Sequence, residues 1–139
     1  MSLMTDLATY VETQSGITDL IGTRFYPQIA KSADLPYVIY LRAEQQRQPH
    51  SGGSSGLVTT TMRITCFADT YNEAQDIADK FRLELDGFQR DDWGSTTIHQ
   101  CRLEAESDGL EPLHFGQNDA PHFVSQDYQI THKETVPSH

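Results

Sequence analysis

Apolar positions in residues 2–15 recur at helical spacing. Leu3, Leu7 and Val11 fall four apart, with Met4 and Ala8 beside them, which makes one stripe of an amphipathic helix. Ser2 is placed to cap its start and Gly16 to stop it. Ile17, Leu20 and Ile21 follow, closed by Gly22, and predict one or two more helical turns. Arg24-Phe25-Tyr26-Pro27 reads as a short extended piece, because the residue before a proline is pushed out of the helical region. Residues 28–36 show no periodicity and read as a loop.

The pattern then changes to that of strands. Tyr37 to Ala43 is dense in aromatic and β-branched residues. Both its faces are apolar, Tyr37, Ile39 and Leu41 on one and Val38 and Tyr40 on the other, so cover is expected on both sides. Residues 45–56 are low in complexity, rich in Gln, Ser and Gly, and read as a long flexible hairpin loop. In the second strand, Leu57 to Ala68, Val58, Met62, Ile64, Cys66 and Ala68 share one parity, and Thr59, Thr61, Arg63 and Thr65 share the other. Thr70 with Glu73 forms a capping box for a second helix. Ala74, Ile77, Ala78, Phe81 and Leu85 make its apolar stripe, and Gly87 supplies a left-handed stop. Thr96 to Ala105 is a third strand, with His99, Cys101, Leu103 and Ala105 facing one way and Gln100, Arg102, Glu104 and Glu106 the other. Residues 107–121 read as an acidic loop, and Phe123 to Lys133 as a fourth strand with Val124, Tyr128 and Ile130 on one parity.

This order predicts an α+β fold: a four-stranded, mainly antiparallel sheet with two helices packed on one face. One domain is expected over residues 1–133, with a frayed tail at 134–139.

Charge narrows the function classes. Twenty acidic residues against ten basic ones give a formal net charge of −10. That balance argues against a sequence-independent grip on nucleic acid, which needs clustered Lys and Arg. No apolar run reaches the roughly 18–20 residues of a membrane span, so no membrane partner is expected. The opening Met1-Ser2-Leu3-Met4-Thr5-Asp6 carries no secretory signal pattern. Cys66 and Cys101 make neither a disulfide framework nor a zinc set, and a reducing, cytoplasmic setting is expected.

Catalytic candidates are thin. His50, His99, His114, His122, His132 and His139 are scattered without metal-ligand spacing, so no metal or cofactor is expected. His99 and Cys101 alternate on one strand and offer a Cys–His pair, but a buried thiol beside a half-buried imidazole is the simpler reading. Asp91-Asp92, Glu104/Glu106 and Asp108/Glu111 are paired carboxylates best explained as solvated acids. The glycines at 52–56 lack the trailing Lys of a phosphate loop. Tyr40 and Phe67 are placed on the face away from the helices, near Arg42 and Arg63, the residue types enriched at protein interfaces.

The sequence Arg24-Phe25-Tyr26-Pro27, followed by Leu35-Pro36-Tyr37-Val38-Ile39-Tyr40, resembles the opening of phage tail-completion proteins, the tail-terminator-like head-to-tail joining proteins of long-tailed phages and prophages. The likeness continues through Arg63-Ile64-Thr65-Cys66-Phe67-Ala68-Asp69-Thr70 into Tyr71 to Ala78, fades after Gly87, and returns at Asp127-Tyr128-Gln129-Ile130. The resemblance implies a structural, non-enzymatic role: a ring of copies, usually a hexamer, at the head-proximal end of the tail tube. Implied partners are the chain itself, the tail tube protein and the head connector, with DNA passing through unbound. The implied location is the virion tail, after assembly in the host cytoplasm. The 45–56 and 107–121 segments depart from the family pattern.

Within that reading the interface residues are Tyr40, Arg42, Arg47, Arg63 and Phe67, with the 45–56 hairpin as the contacting element. Two other classes stay open on sequence alone. One is a small-molecule or peptide-binding module with its pocket under the 107–121 loop; the other is a hydrolase using Cys101 and His99 or the Asp91/Asp92 region.

Overall fold

A computed structural model describes residues 3–22, 24–27, 35–50, 53–94, 96–110 and 121–133, with the backbone alone at 47–50, 53–55 and 110. Its elements run α1 (Leu3–Glu12), α2 (Ser15–Ile21), β1 (Phe25–Pro27), β2 (Tyr37–His50), β3 (Gly53–Ala68), α3 (Tyr71–Leu85), β4 (Gln89–Trp93), β5 (Thr96–Leu110) and β6 (His122–Lys133). The strands form one six-stranded sheet in the order β1-β2-β3-β6-β5-β4. Only the β1–β2 pair is parallel; the other neighbours are antiparallel.

The expected four-stranded sheet with two helices is therefore corrected to a mixed, half-barrel sheet of six strands with three helices among the described residues. The physical reasons are local. β1 is the short extended piece at Phe25, and three residues are too few to show alternation. β4 lies at the sheet edge with four exposed positions before the buried Trp93, so its Gln-Arg-Asp-Asp run gives no apolar signal. The first helix breaks at Thr13-Gln14, where the Gln14 carbonyl accepts from Ile17 and Thr18, so Gly16 lies inside α2 and does not stop α1.

Two expected loops are also corrected. Most of 45–56 is strand: Gln45 to Arg47 pair with Thr60 to Val58, and pairing resumes at Pro49–Ser54 and His50–Gly53. Strand pairing is made by backbone groups, so a ribbon that buries nothing needs no apolar pattern. β5 likewise runs on to Leu110, taking in 107–110. Residues 2, 28–34, 51–52, 111–120 and 134–139, with the cap, loop and tail expected there, lie outside the described residues.

The helices cover one face of the sheet. Thr70 caps α3 by accepting from the Glu73 N–H at 3.2 Å, and Gly87 beyond its end has φ +85°. Ala74, Ile77, Ala78, Phe81 and Leu85 of α3 are buried with Leu7 and Val11 of α1 and Met62, Ile64, Cys66 and Tyr128 of the sheet. Among the described residues six polar side chains are buried, and two of them, Gln126 and Asp6, tie the helices to the sheet. Gln126 donates to the Ala78 carbonyl at 3.0 Å and to Glu106 at 2.8 Å, while accepting from the Tyr128 hydroxyl at 2.9 Å. Asp6 of α1 accepts from the Thr96 hydroxyl and so ties α1 to the β4–β5 hairpin.

Irregularities on two separate strands fall in one row. β2 shifts register between Arg42 and Glu44, and β5 between Leu103 and Ala105. Arg42, Met62, Tyr128 and Leu103 are aligned across the sheet, and Leu41, Arg63, Asp127 and Ala105 make the row below. The same two strands shift again beside the row of Arg47, Val58, His132 and Ile98, and because a bulge adds bend and twist to its strand, both rows favour curling of the sheet.

Candidate functional site

The face of the sheet away from the helices is the candidate surface. Its positions are set by alternation: Arg63, Thr65 and Phe67 on β3 stand opposite Asp127, Ser125 and Phe123 on β6. Arg63 donates to both carboxylate oxygens of Asp127, at 2.8 and 3.2 Å. That hydrogen bond, with the attraction of the carboxylate charge, raises the arginine's already high pKa. Thr65 meets Ser125 at 3.2 Å and Thr59 meets Thr131 at 3.4 Å, so the same face carries a ladder of hydroxyls. Arg102 donates to Gln129 at 2.8 Å and pairs with Glu104 at 2.9 Å.

One end of this face is aromatic. Tyr37, Phe67 and Phe123 form a row across β2, β3 and β6, with ring centroids 4.9 and 5.8 Å apart. A shallow depression of about 240 Å³ lies beside it, lined by Arg63, Ala105, Glu106, Ser107, Phe123, Ser125 and Asp127. Its arginine is already engaged by its aspartate.

The structure separates the five residues singled out from sequence. Arg63 and Phe67 share the open face, and Phe67 is buried by its ring neighbours. Tyr40 does not join them. It stands opposite Ile64 on the helix-covered face, stacked on Phe25 at 4.2 Å, so its expected placement is corrected to core. Phe25 continues that stack to Phe81 of α3 at 5.6 Å. Arg42 is exposed, stands opposite Met62, and donates to Gln45 at 3.1 Å. Arg47 stands opposite Val58, and its side chain lies outside the described residues. Sequence reasoning missed Tyr37, Phe123 and Asp127 as partners on the open face, although the parity of 123, 125 and 127 against Val124 contains that signal.

The Cys–His pair is not assembled as alternation expected. A register shift falls at His99, between Ile98 and Gln100, so Cys101 is buried while His99 is exposed. Burial, with the nearby Asp86 charge, pushes the Cys101 thiol up to about 12, and burial also raises Cys66. A nucleophile needs the thiolate, which these surroundings disfavour. The second shift places Ala105 on the open face and Glu106 on the helix side, reversing the expected parity there. Asp108 accepts from the Tyr71 hydroxyl at 2.7 Å. Among the described residues no group of His, Cys, Asp and Glu is arranged to hold a metal, and no helix is long and apolar enough to cross a membrane.

The family model described as tail completion protein gp17 matches residues 5–109, well over half of the chain. The chain belongs to this family. No curated protein matches it. Among solved structures, a chain from the virion of a native gene transfer agent particle has the same fold, with a TM-score of 0.67 and 11% sequence identity. The match covers 93% of this chain and 94% of that one. The role is thus structural, in tail completion.

Proposed function

We propose that this tail-completion protein acts as a ring at the head-proximal end of the tail tube, where it ends tube growth and presents a surface to the head connector. The observation that carries this reading is the β2–β3 ribbon. The two strands pair with each other past the Leu57–Lys133 row, out to His50–Gly53. A ribbon rich in Gln, Ser and Gly has no core of its own to make, so its length is explained by a neighbour that it contacts. The ring partners are further copies of the chain, with tube protein on one side and connector on the other, inside an assembling virion. The gene transfer agent likeness supports the setting, because that chain comes from a virion. No catalytic step is needed for any of this.

The acid excess belongs to the same reading. Asp76, Asp79 and Asp86 are exposed on and just after α3, and Asp91, Asp92, Glu104 and Asp108 are exposed on β4 and β5. Part of this set faces the lumen, where like charge lets DNA pass unbound.

The test is deletion of the gene followed by electron microscopy, with complementation by the full chain and by a variant in which residues 48–57, between the paired Arg47 and Val58, are replaced by a two-residue turn. Overlong tails or unjoined heads, cured by the full chain and not by the shortened one, are the expected result. Normal joined virions in the deletion overturn the reading.

A further inference from the structure

The two long outer strands of the sheet are each only half covered. β1 pairs with β2 at Val38, Ile39 and Tyr40 only, so among the described residues Leu41 to His50 have no strand on their outer side. β4 pairs with β5 from Thr96 to Gln100, the Gly87–Phe88 backbone reaches Cys101, and Asp86 accepts from the Leu103 N–H at 2.9 Å, so among the described residues Arg102 to Leu110 has no outer strand either and its backbone is open from Glu104 onward. Such edges present unpaired backbone donors and acceptors and normally end in pairing or in protection.

The two open stretches are complementary in three ways. First, they are similar in length: ten residues on β2 and nine on β5, of which the seven from Glu104 to Leu110 lie beyond the Asp86 contact. Second, they differ in charge: 41–50 holds Arg42 and Arg47 against Glu44, while 102–110 holds Glu104, Glu106 and Asp108 against Arg102. The charges also stand on matching sides. Arg42 and Arg47 occupy helix-side positions, opposite Met62 and Val58, and Glu106 and Asp108 occupy helix-side positions, opposite Gln126 and Val124. Third, the steps interlock. β1 blocks one end of the β2 edge and β4 blocks the opposite end of the β5 edge, so two copies overlap fully only when staggered along the strands. Leu41 lies in the row of Arg63 and Leu110 in the row of Ala68, which sets a stagger of about five residues, on the order of 15–20 Å. A strand register that shifts from one unit to the next is what closing a sheet into a barrel requires.

We infer that the β2 edge of one copy pairs with the β5 edge of the next, antiparallel, joining the half-barrel sheets of neighbouring copies into one continuous sheet. The contact is heterologous, since different surfaces meet, and repeated contacts of that kind make rings or filaments. The inference rests on the ring reading and names its interface. In full overlap Gln46 of one copy faces Ala105 of the next, and both are exposed on the open face.

The experiment mixes two variants that each add one cysteine, Gln46→Cys and Ala105→Cys, under mild oxidation, with and without purified tail tubes, and reads both oligomer mass and crosslinked product. The native thiols are buried and do not compete. A crosslinked dimer in the mixture, at least tenfold above either variant alone, supports the inference. Oligomers that form without crosslinking overturn it and leave the ring reading standing. Protein that stays monomeric in both settings overturns both. A charge exchange guards against a poorly placed sulfur pair: R42E and D108R each weaken oligomer formation, and a chain carrying both recovers it. No recovery, with all variants folded, also overturns the pairing.

Discussion

Phe123 lies directly over Gly109. A Cβ at Gly109 would stand 2.6 Å from the Cζ of that ring and 2.9 Å from its Cε2, closer than any ordinary contact. The ring is held from its other side by Phe67, 5.8 Å away, which in turn stacks on Tyr37. The aromatic row of the open face thus ends on a glycine of β5, and the cross-strand pair Gly109–Phe123 is what lets it lie flat.

Gly109→Ala is therefore expected to destabilise the fold by about 1–3 kcal/mol, the usual cost of overpacking. Urea unfolding measures it. In the Phe123→Leu background the same substitution should cost much less, because the crowding ring is gone. Equal costs in both backgrounds would show that the ring is not the obstacle.

A second tight approach ties α1 to the sheet. Gly94 has φ +56°, and a Cβ there would meet Asp6 Oδ1 at 2.7 Å, while the same carboxylate accepts from the Thr96 hydroxyl. Asp6 is fully buried, so the loss of its hydrogen bonds leaves polar groups stranded. Asp6→Ala is expected to cost about 1–3 kcal/mol. Gly94→Ala adds left-handed backbone strain of about 1–2 kcal/mol whatever residue 6 is, and a steric part only while Asp6 is present. Melting curves of the two single variants and the double variant separate these parts. Strict additivity would mean that Asp6 and Gly94 do not touch.

Stability should fall at alkaline pH. Cys101 is raised from an ordinary 9.0 to about 12, and burial also raises Cys66 and Tyr128. Each is a neutral acid in the folded core. Below about pH 9 for the two thiols, and about pH 10 for Tyr128, both folded and unfolded forms keep the proton, so the contribution is whole. Above it the unfolded chain loses the proton and the folded chain keeps it, so each such group removes about 1.4 kcal/mol per pH unit. Denaturant midpoints between pH 8 and 11 should therefore drop steeply, and less steeply in Cys101→Ala. The same burial makes both thiols unreactive towards iodoacetamide at pH 8 until the protein unfolds; rapid labelling of native protein would contradict it.

How much of this was legible in the sequence follows from what each residue reports. α3 was readable because Thr70, Glu73, five apolar positions and Gly87 all agree, and all five apolar positions are buried. β3 and β6 were readable because each has one buried face. The same parity that marks Val124, Tyr128 and Ile130 also contains Gln126, whose polar side chain is satisfied by α3, Glu106 and Tyr128. The ends of β2 and β3 were not readable, since pairing in a ribbon leaves no trace in side-chain polarity. The bulges beside Ala43 and Glu104 were not readable either, and a single extra residue reverses every later side chain on its strand. Simple alternation therefore puts Glu106 on the open face, whereas it stands opposite Gln126 on the helix side. Tyr40 was misplaced for a different reason: its strand is apolar on both sides, so composition alone could not tell the helix side from the open side. The candidate surface was half visible, with Arg63 and Phe67 named and Asp127, Tyr37 and Phe123 not.

Tyr40 and Arg63 now carry opposite expectations, and together they test whether the open face works as a surface. Tyr40 is buried between Phe25 and the core, and burial with the nearby Glu12 charge raises its hydroxyl. Tyr40→Ala is expected to cost about 3–5 kcal/mol, as for other buried aromatics, while Tyr40→Phe keeps most of the stability. Any loss of tail completion in Tyr40→Ala should therefore be matched by loss of folded protein. Arg63 is half exposed, and its pair with Asp127 should contribute only about 0.2–1 kcal/mol to stability. Arg63→Ala should fold almost normally yet reduce complementation of a deletion phage if the open face meets a partner. A double-mutant cycle with Asp127→Ala supplies the stability coupling, and plaque counts with particle images supply the assembly effect. Full complementation by Arg63→Ala, with wild-type melting, would remove the open face from the assembly contacts and leave the strand edges to carry them.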